Sequence, residues 1–562
     1  IVIDRNHAFT KVDGVLFKQM LKMLSLDFIC NYDSLILKDT KKINKLAFAL
    51  DMAVAGRSDE SVWIRQAQEI RKQMTDSLID SSFTYLPEGV KHDEIELIKR
   101  KLKRRRLELE AVASQYYRLL QRTPVVAGTN QSDYFLIERQ APDRTILRIY
   151  DPETGDCRLE QQFSGRETKE LWLYGLAGND TFEVKGNTRK DFPIYLISGE
   201  GENQYQLNHN RKIHVYDKDY KYDYQKIKYH KISFTPWGIY DSDKGISLGT
   251  FFTYTMYGFK RAPFTYQHRI GYNYLKGFMY AGVFPNYDGR RRLYLNASIS
   301  SPRNFENFFG FGNNTAGYKE EKKNYNRVKL RTYMLNPSFE MDLRKEEVVT
   351  FFGSLDMYKA KRTDDRYIYT VYGEDHPIFR TNYFVGLGAT YRITKQPYSW
   401  LPLLETEWTA GWKMNLKKPE RNFPYAQGSL SWNVRFSDRF TWASLMKGTV
   451  LFDNDYEFYQ AATIDLRGFR DNRFIGKQSF YQYSDLRLDM GKLKNPFTPL
   501  KYGLFAGFDY GRVWFPGERS HSWHTSYGGG IWLTFLNKFT TKYSWFGSTD
   551  SFRFAFELGL GF

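Results

Sequence analysis

The last twelve residues of the chain alternate strictly between two kinds of side chain. Large apolar residues occupy every second position, and small or charged residues fill the positions between them. Because successive side chains of a strand point to opposite faces, this period of two predicts a strand with one uniformly apolar face. The other face is compatible with water in a soluble sheet, or with the polar lumen of a membrane barrel. The apolar set comprises Phe552, Phe554, Phe556, Leu558, Leu560 and Phe562.

Composition separates these two alternatives. Aromatic residues make up 17 % of the 562 residues, with 42 Tyr and 44 Phe, yet the mean hydropathy is −0.58. No apolar run reaches the roughly 18 residues that a membrane-spanning helix needs, so helical spans are not expected. High aromatic content with modest hydropathy is typical of a transmembrane barrel, in which only alternate residues touch lipid.

Alternating segments separated by polar turns continue from Lys231 to Phe562. We identify sixteen of them, at about 21 residues for each strand with its connection, which suits tilted spanning strands. An even number of strands brings both ends of the barrel to the same side of the membrane. The sequence therefore predicts a mainly β chain with a 16-stranded antiparallel transmembrane β-barrel over 231–562.

The residues before the barrel fall into three parts with different patterns. The stretch 1–57 is mixed and suggests the remnant of an upstream domain, and no leader peptide is visible, so a longer precursor is expected. Helical spacing characterises 58–122, including one predicted helix from about His92 to Arg122. Seven basic residues between Lys99 and Arg106 indicate either a solvated helix face or a surface for lipid phosphates. A period of two returns over 123–220, so we expect a smaller periplasmic α+β region that ends in a β-rich module.

Two glycine-rich segments in this module repeat each other approximately. Gly175–Asp180 precedes Thr-Phe, and Ser198–Asn203 precedes Gln-Tyr. Both resemble the Gly-Gly-x-Gly-x-Asp repeat of calcium-binding β-rolls, which would make Asp180 a candidate calcium ligand. The second copy has Asn203 in place of the aspartate, and two imperfect copies cannot build a row of calcium sites. A structural β-solenoid or sandwich without a cofactor is therefore favoured.

A loop and a strand near the C-terminus carry two motifs that complement each other. Leu466-Arg467-Gly468-Phe469 lies between the eleventh and twelfth segments, and Gly507-Phe508-Asp509-Tyr510-Gly511 lies in a later strand. Alternation directs Asp509 into the lumen, where Gly507 and Gly511 leave room for a loop. An arginine enclosed there requires a carboxylate. We expect the Arg467 guanidinium within about 4 Å of Asp509; the alternative is a surface Arg-Gly turn.

This pair of motifs resembles the outer-membrane assembly and two-partner secretion superfamily of BamA, TamA and the bacterial surface antigens, over 231–562. In that superfamily an Arg-Gly-Phe or Arg-Gly-Tyr loop folds back into the barrel and meets an acidic residue. The resemblance assigns Arg467, Gly468 and Phe469 to the lumen loop, and Phe508, Asp509 and Gly511 to its partner strand. Outer-membrane barrels commonly end on Phe, so the apolar set ending at Phe562 is interpreted as the C-terminal barrel signal.

The upstream residues depart from the usual plan of that superfamily, because tandem polypeptide-transport-associated domains are not visible. The stretch 116–216 is similar to a subset of surface antigens, common in Bacteroidetes-type bacteria, in which a metallophosphoesterase often precedes the barrel. The segment Asp4–Phe9 resembles the end of a kinase-like lobe. The paired Asp-His clusters of a metallophosphoesterase do not occur in the sequence. No catalytic or metal-binding residue is therefore assigned, and the chain itself is not expected to be an enzyme.

The resemblance implies insertion or translocation of protein at the cell outer membrane, with the N-terminal region in the periplasm. The implied partners are outer-membrane lipid and a polypeptide client or other outer-membrane proteins. The alternative is a membrane anchor for a metallophosphoesterase or kinase-like module upstream. The net charge of +18 suits an anionic membrane surface. Nucleic acid is not an expected partner of a protein exported to this membrane.

Overall fold

The computed structural model describes residues 31–560 in two compact units, one before and one after about residue 230. The segment Asp4–Phe9, Cys30 and Phe562 lie outside the described residues. Within 31–560 the description omits 34, 85, 87–91, 187–188, 209–211, 217–221, 223–230, 242, 258–262, 287–288, 316–323, 364, 396–402, 494–499 and 536–538.

Helices dominate the start of the first unit. The single helix predicted from His92 to Arg122 is wrong, since it divides at Glu108. The Glu108 carboxylate accepts hydrogen bonds from the N–H groups of Ile36 and Leu37 at 2.9 and 3.3 Å, so a distant segment sets the break. Among the helices of the described residues, none combines the length and hydropathy needed to cross a bilayer. The helices are α1 Thr40–Ile43, α2 Phe48–Val54, α3 Glu60–Gln73, α4 Asp76–Ser82, α5 His92–Leu107 and α6 Leu109–Leu120.

The basic run on α5 is partly used within the protein. Lys103 and Arg106 form ion pairs with Asp80 and Asp76 of α4, at 2.8 and 2.9 Å. Arg105 stacks over the Tyr32 ring at 3.7 Å. These contacts hold α5 against its neighbours, which a freely solvated face would not do.

A β-solenoid follows the helices. Its strands β1, β5, β7 and β9 form a parallel sheet, and β2, β6 and β8 form a second parallel row extended by the antiparallel strands β3 and β4. From β4 onward the chain passes from one sheet to the other between successive strands, and apolar residues of both sheets fill the space between them. The strands are β1 Val125–Ala127, β2 Tyr134–Gln140, β3 Arg144–Tyr150, β4 Cys157–Ser164, β5 Leu171–Tyr174, β6 Thr181–Gly186, β7 Ile194–Ile197, β8 Gln204–Leu207 and β9 Ile213–Tyr216.

The second unit is a closed antiparallel barrel, and its sixteen long strands within the described residues confirm the predicted architecture. The three-residue strand β15 extends the same sheet beside β16, and β22 and β23 form a separate pair inside a connecting loop. The long strands are β10 Lys231–Asp241, β11 Gly245–Met256, β12 Tyr266–Asn273, β13 Gly277–Pro285, β14 Arg291–Ser300, β16 Arg327–Arg344, β17 Glu347–Ala360, β18 Asn382–Lys395, β19 Leu403–Asn415, β20 Lys418–Arg435, β21 Phe440–Leu451, β24 Gln478–Leu493, β25 Leu500–Trp514, β26 His524–Phe535, β27 Phe539–Gly547 and β28 Phe552–Leu560. The short strands are β15 Phe305–Asn307, β22 Ala462–Thr463 and β23 Ile475–Gly476.

Alternation along the strands separates an apolar exterior from a polar lumen. Outward-facing Leu387, Trp408 and Phe552 are 62 %, 60 % and 71 % exposed. Inward-facing Asp509 and Arg553 are buried. An apolar belt around a polar interior is the arrangement of a transmembrane β-barrel of the outer-membrane type.

The two ends of the barrel differ in the length of their connections. One end, here called the loop end, has the long connections, and the other, the turn end, has short ones such as 345–346 and 436–439. Strand β10 starts at the turn end. At the loop end, residues of several connections pack into one apolar cluster that includes Phe308, Ile378 and Phe458. The connections of more than 20 residues are 301–326, 361–381 and 452–477, and the shorter connection 515–523 lies at the same end.

Candidate functional site

The connection 452–477 enters the barrel. Its inner part, 464–474, is here called the lumen loop. Its apolar side chains Ile464, Leu466, Phe469 and Phe474 are buried and form one cluster with the inward-facing side chain of Val513. A surface turn could not bury these residues against the inner wall of the barrel.

Arg467 lies in the lumen loop between two carboxylates. Its Nε donates to Asp509 at 3.1 Å, its Nη2 is hydrogen-bonded to the same carboxylate, and its backbone N–H reaches Asp509 Oδ2 at 3.1 Å. Its Nη1 donates to Asp485 Oδ1 at 2.6 Å. Ser526 Oγ also donates to Asp509, at 2.8 Å. The predicted contact between Arg467 and Asp509 is present, and charge-assisted bonds of this kind are the strong ones.

Asp485 is a partner that our sequence reasoning missed. It lies on β24 directly opposite Gly507 of β25, and both face the lumen. Lys542 and Arg487 approach its other oxygen at 3.7 and 3.6 Å. Alternation along β24 was a usable signal, because Asp485 shares its inward face with Tyr481 and Tyr483. The register between β24 and β25 places Asp485 beside Arg467, and this register cannot be predicted from the sequence of either strand alone.

Two glycines make room for the loop. A Cβ on Gly507 would lie 2.6 Å from Arg467 Nη2 and 2.7 Å from Phe546 Cζ. A Cβ on Gly468 would lie 2.7 Å from Ser526 Cβ and 2.8 Å from the Gly547 carbonyl oxygen. A larger residue at either position would force these neighbouring atoms to move.

The other residues of the strand motif do not touch the loop. Phe508 faces outward and is 50 % exposed. A Cβ on Gly511 would meet Tyr481 of the neighbouring strand at 2.7 Å, so this glycine serves strand packing. Within the motif, only Asp509 and Gly507 contact the loop directly.

The junction between the first and last strands, here called the seam, is short. Among the described residues, β10 and β28 share three register pairs: Ile239 with Glu557, Tyr240 with Phe556, and Asp241 with Ala555. By comparison, β27 and β28 share nine, and β10 and β11 share eleven. All three seam pairs lie near the loop end. Within the described parts of β10 and β28, the junction has no register pairs beyond these three.

The lumen loop is bound to the hairpin on one side of the seam. Arg470 Nη1 lies 2.6 Å from Asp243 Oδ1, and Lys244 Nζ lies 2.7 Å from Asp471 Oδ2. Asp243 and Lys244 form the turn between β10 and β11. Asp243 is 3 % exposed, and Arg327 approaches the same carboxylate at 3.5 Å, so both arginines balance its buried charge.

The same loop is also bound to the hairpin on the other side of the seam. Arg473 forms an ion pair with Asp550, in the turn between β27 and β28. Ser548 Oγ in that turn donates to the Gly468 carbonyl at 2.7 Å, and Arg553 of β28 donates to the Phe469 carbonyl. One short segment therefore holds both strands of the seam from within.

The phenylalanines Phe552, Phe554 and Phe556 of the predicted C-terminal signal lie on the outside of β28. The Phe554 ring packs 5.0 Å from Trp545 and 5.7 Å from Tyr240 across the seam. Phe556 packs 5.0 Å from Tyr543. Phe552 is exposed, and Leu558 and Leu560 complete the strand, whereas Phe562 lies outside the described residues. These rings add contacts where backbone pairing is sparse.

The turns of the solenoid stack in three copies, of which sequence reasoning missed the first, Gly128–Asp133. The Asp133 N–H donates to Asp180 Oδ1, and the Asp180 N–H donates to Asn203 Oδ1, each at 2.9 Å. Phe135, Phe182 and Tyr205 stack after these turns, with ring centroids 4.6 and 5.7 Å apart. The side chain of each later turn thus satisfies a backbone N–H of the turn before it, as in a structural solenoid.

Asp180 has one oxygen free for a ligand. Its side chain is fully buried, Oδ2 has no hydrogen-bond partner, and burial raises its pKa to about 7. The Asp133 carboxylate is already occupied by Arg158 at 2.7 Å and by the Thr129 N–H at 2.6 Å. Calcium takes about six to eight oxygens, and no group of three or more acidic, His or Cys residues in the described chain suits a metal. The turn is a poor fit, and calcium at Asp180 stays a prediction.

Comparisons with known proteins find similarity among solved structures. No family model and no curated protein matches the chain. BamA from Haemophilus ducreyi lacking POTRA domains 1–3 is similar at 11 % identity and a TM-score of 0.43, covering 59 % of this chain and 71 % of that one. CdiB from Escherichia coli gives 11 % and 0.40, covering 58 % and 63 %. CdiB from Acinetobacter baumannii gives 10 % and 0.37, covering 60 % and 66 %.

Proposed function

We propose that this chain is an outer-membrane barrel of the BamA-like surface-antigen type that inserts or translocates polypeptide by opening its seam. The observation that carries the proposal is a seam of three register pairs held by the lumen loop. A backbone hydrogen bond contributes about 0.5–1.5 kcal/mol net, so this junction separates at lower cost than its neighbours. Opening would expose two strand edges with unpaired backbone groups, which an incoming β-strand can satisfy.

The contents of the lumen favour this mechanism over a passive pore. The lumen loop contacts the wall through Asp485 and Asp509 and reaches both hairpins of the seam. A wide channel for solutes would have to displace it and leave buried charges unpaired, which is costly. Lateral passage also requires movement of the lumen loop. In that case the movement separates the strands of the seam, and a client can pass between them.

The lengths of the connections support an orientation of the barrel in the membrane. Outer-membrane barrels have short turns on the periplasmic side and longer loops on the outside. By this rule the turn end is periplasmic, and β10 begins there. The residues before the barrel then lie in the periplasm, where the helices and the solenoid can meet a client before it reaches the membrane.

Locking the seam tests the proposal. Tyr240→Cys with Phe556→Cys places two thiols at facing positions of the seam. The matched control, Phe351→Cys with Ala389→Cys, places two thiols at facing, outward positions between β17 and β18. Each pair replaces the wild-type chain in cells depleted of it, and quantitative proteomics of the outer membrane measures its other barrels before and after reduction.

We expect the oxidised seam pair to lower the level of other barrels or exported proteins, reduction to restore it, and the control pair to have no effect. Full activity of a quantitatively cross-linked seam would refute lateral opening. The alternative, a membrane anchor for an upstream phosphoesterase or kinase-like module, predicts that outcome, because an anchor needs no open seam.

A further inference from the structure

An arginine faces outward near the loop end of β25. Asp509 and Val513 both point into the lumen, since the first binds Arg467 and the second packs on the lumen loop. The register of β25 against β24 continues without interruption from Tyr510 to Trp514. Alternation therefore directs Arg512 to the outer face, two residues before the strand ends.

Aromatic side chains surround this arginine. Its guanidinium carbon lies 4.8 Å from the Trp514 ring and 5.7 Å from the Trp523 ring. Trp523 also packs against Tyr510 at 5.7 Å and Phe480 at 6.2 Å. Trp514 and Trp523 are 38 % and 47 % exposed, as expected for rings at a membrane surface.

Within the part of the chain that the structure describes, the charge of Arg512 has no acidic partner. Its side chain is 9 % exposed, Nη2 donates to the Ser520 carbonyl at 2.8 Å, and the buried Nε has no acceptor. No carboxylate among the described residues forms an ion pair with it. Glu518, the one acidic residue of the loop 515–523, instead accepts hydrogen bonds from Asn313 and Asn314 at 2.6 and 3.0 Å.

A membrane lipid can supply the negative charge that this position lacks. Water and the hydrocarbon belt meet near the ends of the strands, where lipid phosphates lie, and the planar guanidinium matches phosphate oxygens well. The exposed Arg519 and His521 extend the basic character of the same rim. A protein carboxylate would compete for Arg512, but Glu518 is held elsewhere.

We infer that Arg512, between Trp514 and Trp523, binds the phosphate group of a membrane lipid in the leaflet at the loop end. The inference rests on the barrel spanning a membrane and is independent of the proposed opening of the seam. The bound group is a phosphate ester anchored by acyl chains along the outer face of β25.

Lipid retention by the whole chain tests this site. The purified protein is equilibrated with equal amounts of lipid A, phosphatidylglycerol and phosphatidylcholine in detergent, and native mass spectrometry counts the bound lipids. The variants are Arg512→Gln, which removes the charge, and Arg512→Lys, which retains it. The control is Arg362→Gln, which removes an exposed arginine in another loop-end connection that already pairs with Asp375 at 3.4 Å. Inorganic phosphate at millimolar concentration serves as competitor.

We expect one phosphate lipid to be retained at least threefold more by the wild type than by Arg512→Gln, with Arg512→Lys intermediate and Arg362→Gln unchanged. Inorganic phosphate should not displace it, because the acyl chains contribute to binding. Equal retention by wild type and Arg512→Gln, or equal loss in Arg362→Gln, would overturn the site. Displacement by inorganic phosphate would refute a lipid as the ligand. If Arg512→Gln fails to fold, lower retention in Arg512→Lys supports the site and unchanged retention refutes it.

Discussion

Removing Arg467 should free the lumen loop while the barrel remains closed. The guanidinium is shared by Asp485 and Asp509, which are 4 % and 0 % exposed. Arg467→Ala therefore leaves two buried carboxylates facing each other's charge without a cation between them. Asp509→Ala leaves the arginine with Asp485, and Asp485→Ala leaves it with Asp509. The structure predicts the order of damage Arg467→Ala, then Asp509→Ala, then Asp485→Ala.

The expected magnitudes follow from the number of contacts. Breaking a buried ion pair by removing one partner costs about 3–5 kcal/mol, much of it from the charge left behind. Arg467→Ala should lie at the upper end, since it strands Asp509 and leaves Asp485 with only the longer contacts to Lys542 and Arg487. Asp485→Ala should cost about 1–3 kcal/mol, as its loss leaves the Asp509 contacts of Arg467 intact. Arg467→Ala combined with Asp509→Ala should be less harmful than the two effects added, by about 1–3 kcal/mol.

Protease sensitivity of the loop measures these differences. Trypsin cleaves after Arg470 and Arg473 only when the loop leaves the lumen, so cleavage rates at low protease report the free energy of loop release. Heat modifiability on gels confirms that the barrel is folded in each variant. Arg467→Lys is the control for charge without the guanidinium fork, and it should restore part of the protection.

Three results would contradict the reasoning. Strict additivity of Arg467→Ala and Asp509→Ala would mean that the two side chains do not interact. Complete rescue by Arg467→Lys would mean that the fork geometry is unimportant. Equal protection of the loop in Arg467→Ala and wild type would mean that the ion pairs do not hold it.

Further expectations concern the loop, the seam and the solenoid. Gly507→Ala should displace Arg467, since the added methyl group would lie 2.6 Å from its Nη2, and trypsin should cleave the loop faster; an unchanged rate would show that the wall yields. Arg470→Ala, introduced into the Tyr240→Cys, Phe556→Cys protein, should lower the yield of the seam disulfide on reoxidation, because β10 loses its contact with the lumen loop. A higher yield would mean that the loop keeps the seam apart, and an unchanged yield would mean that the loop does not act on the seam. Asp180→Asn should stabilise the solenoid at alkaline pH. The pKa of Asp180 is raised from 3.8 to about 7, so the stability conferred by its neutral form is complete at acid pH and lost as pH rises through about 7. Hydrogen-exchange protection of β5 to β8, corrected for intrinsic rates, should fall by ~2 kcal/mol from pH 5.5 to 8 in the wild type and stay constant in Asp180→Asn; a pH-dependent loss in both would exclude Asp180 as its source.

The features predicted from sequence are those with a local physical cause. A period of two requires only neighbouring residues, so alternation predicted the barrel and the inward direction of Asp509. Features that depend on distant partners were missed. Asp485 reaches Arg467 through the register of β24 and β25. The break at Glu108 is set by hydrogen bonds from Ile36 and Leu37.

The first turn of the solenoid was missed for a different reason. Thr129 and Gln131 occupy positions at which the other turns have glycine or a residue with positive φ, such as Leu176 at 80° and Gly178 at 103°. The pattern of glycines is therefore absent, although Asp133 occupies the same position in its turn as Asp180 does. The aspartate and the following aromatic residue, Phe135, were the remaining signal.

The lumen loop has three arginines spaced three residues apart, and each forms ion pairs with a different part of the barrel. They are Arg467, Arg470 and Arg473. A segment held at several points behaves as a multivalent ligand, because the remaining ion pairs keep a released arginine close to its partner, at high effective concentration. When a single ion pair breaks, it re-forms rapidly, and the segment leaves the lumen only when all three ion pairs are broken at the same time. The closed barrel should be long-lived even though each contact is individually reversible. A client that competes for one of the three ion pairs would shorten that lifetime little. A client that binds the whole segment would make release of the loop fast and dependent on the client.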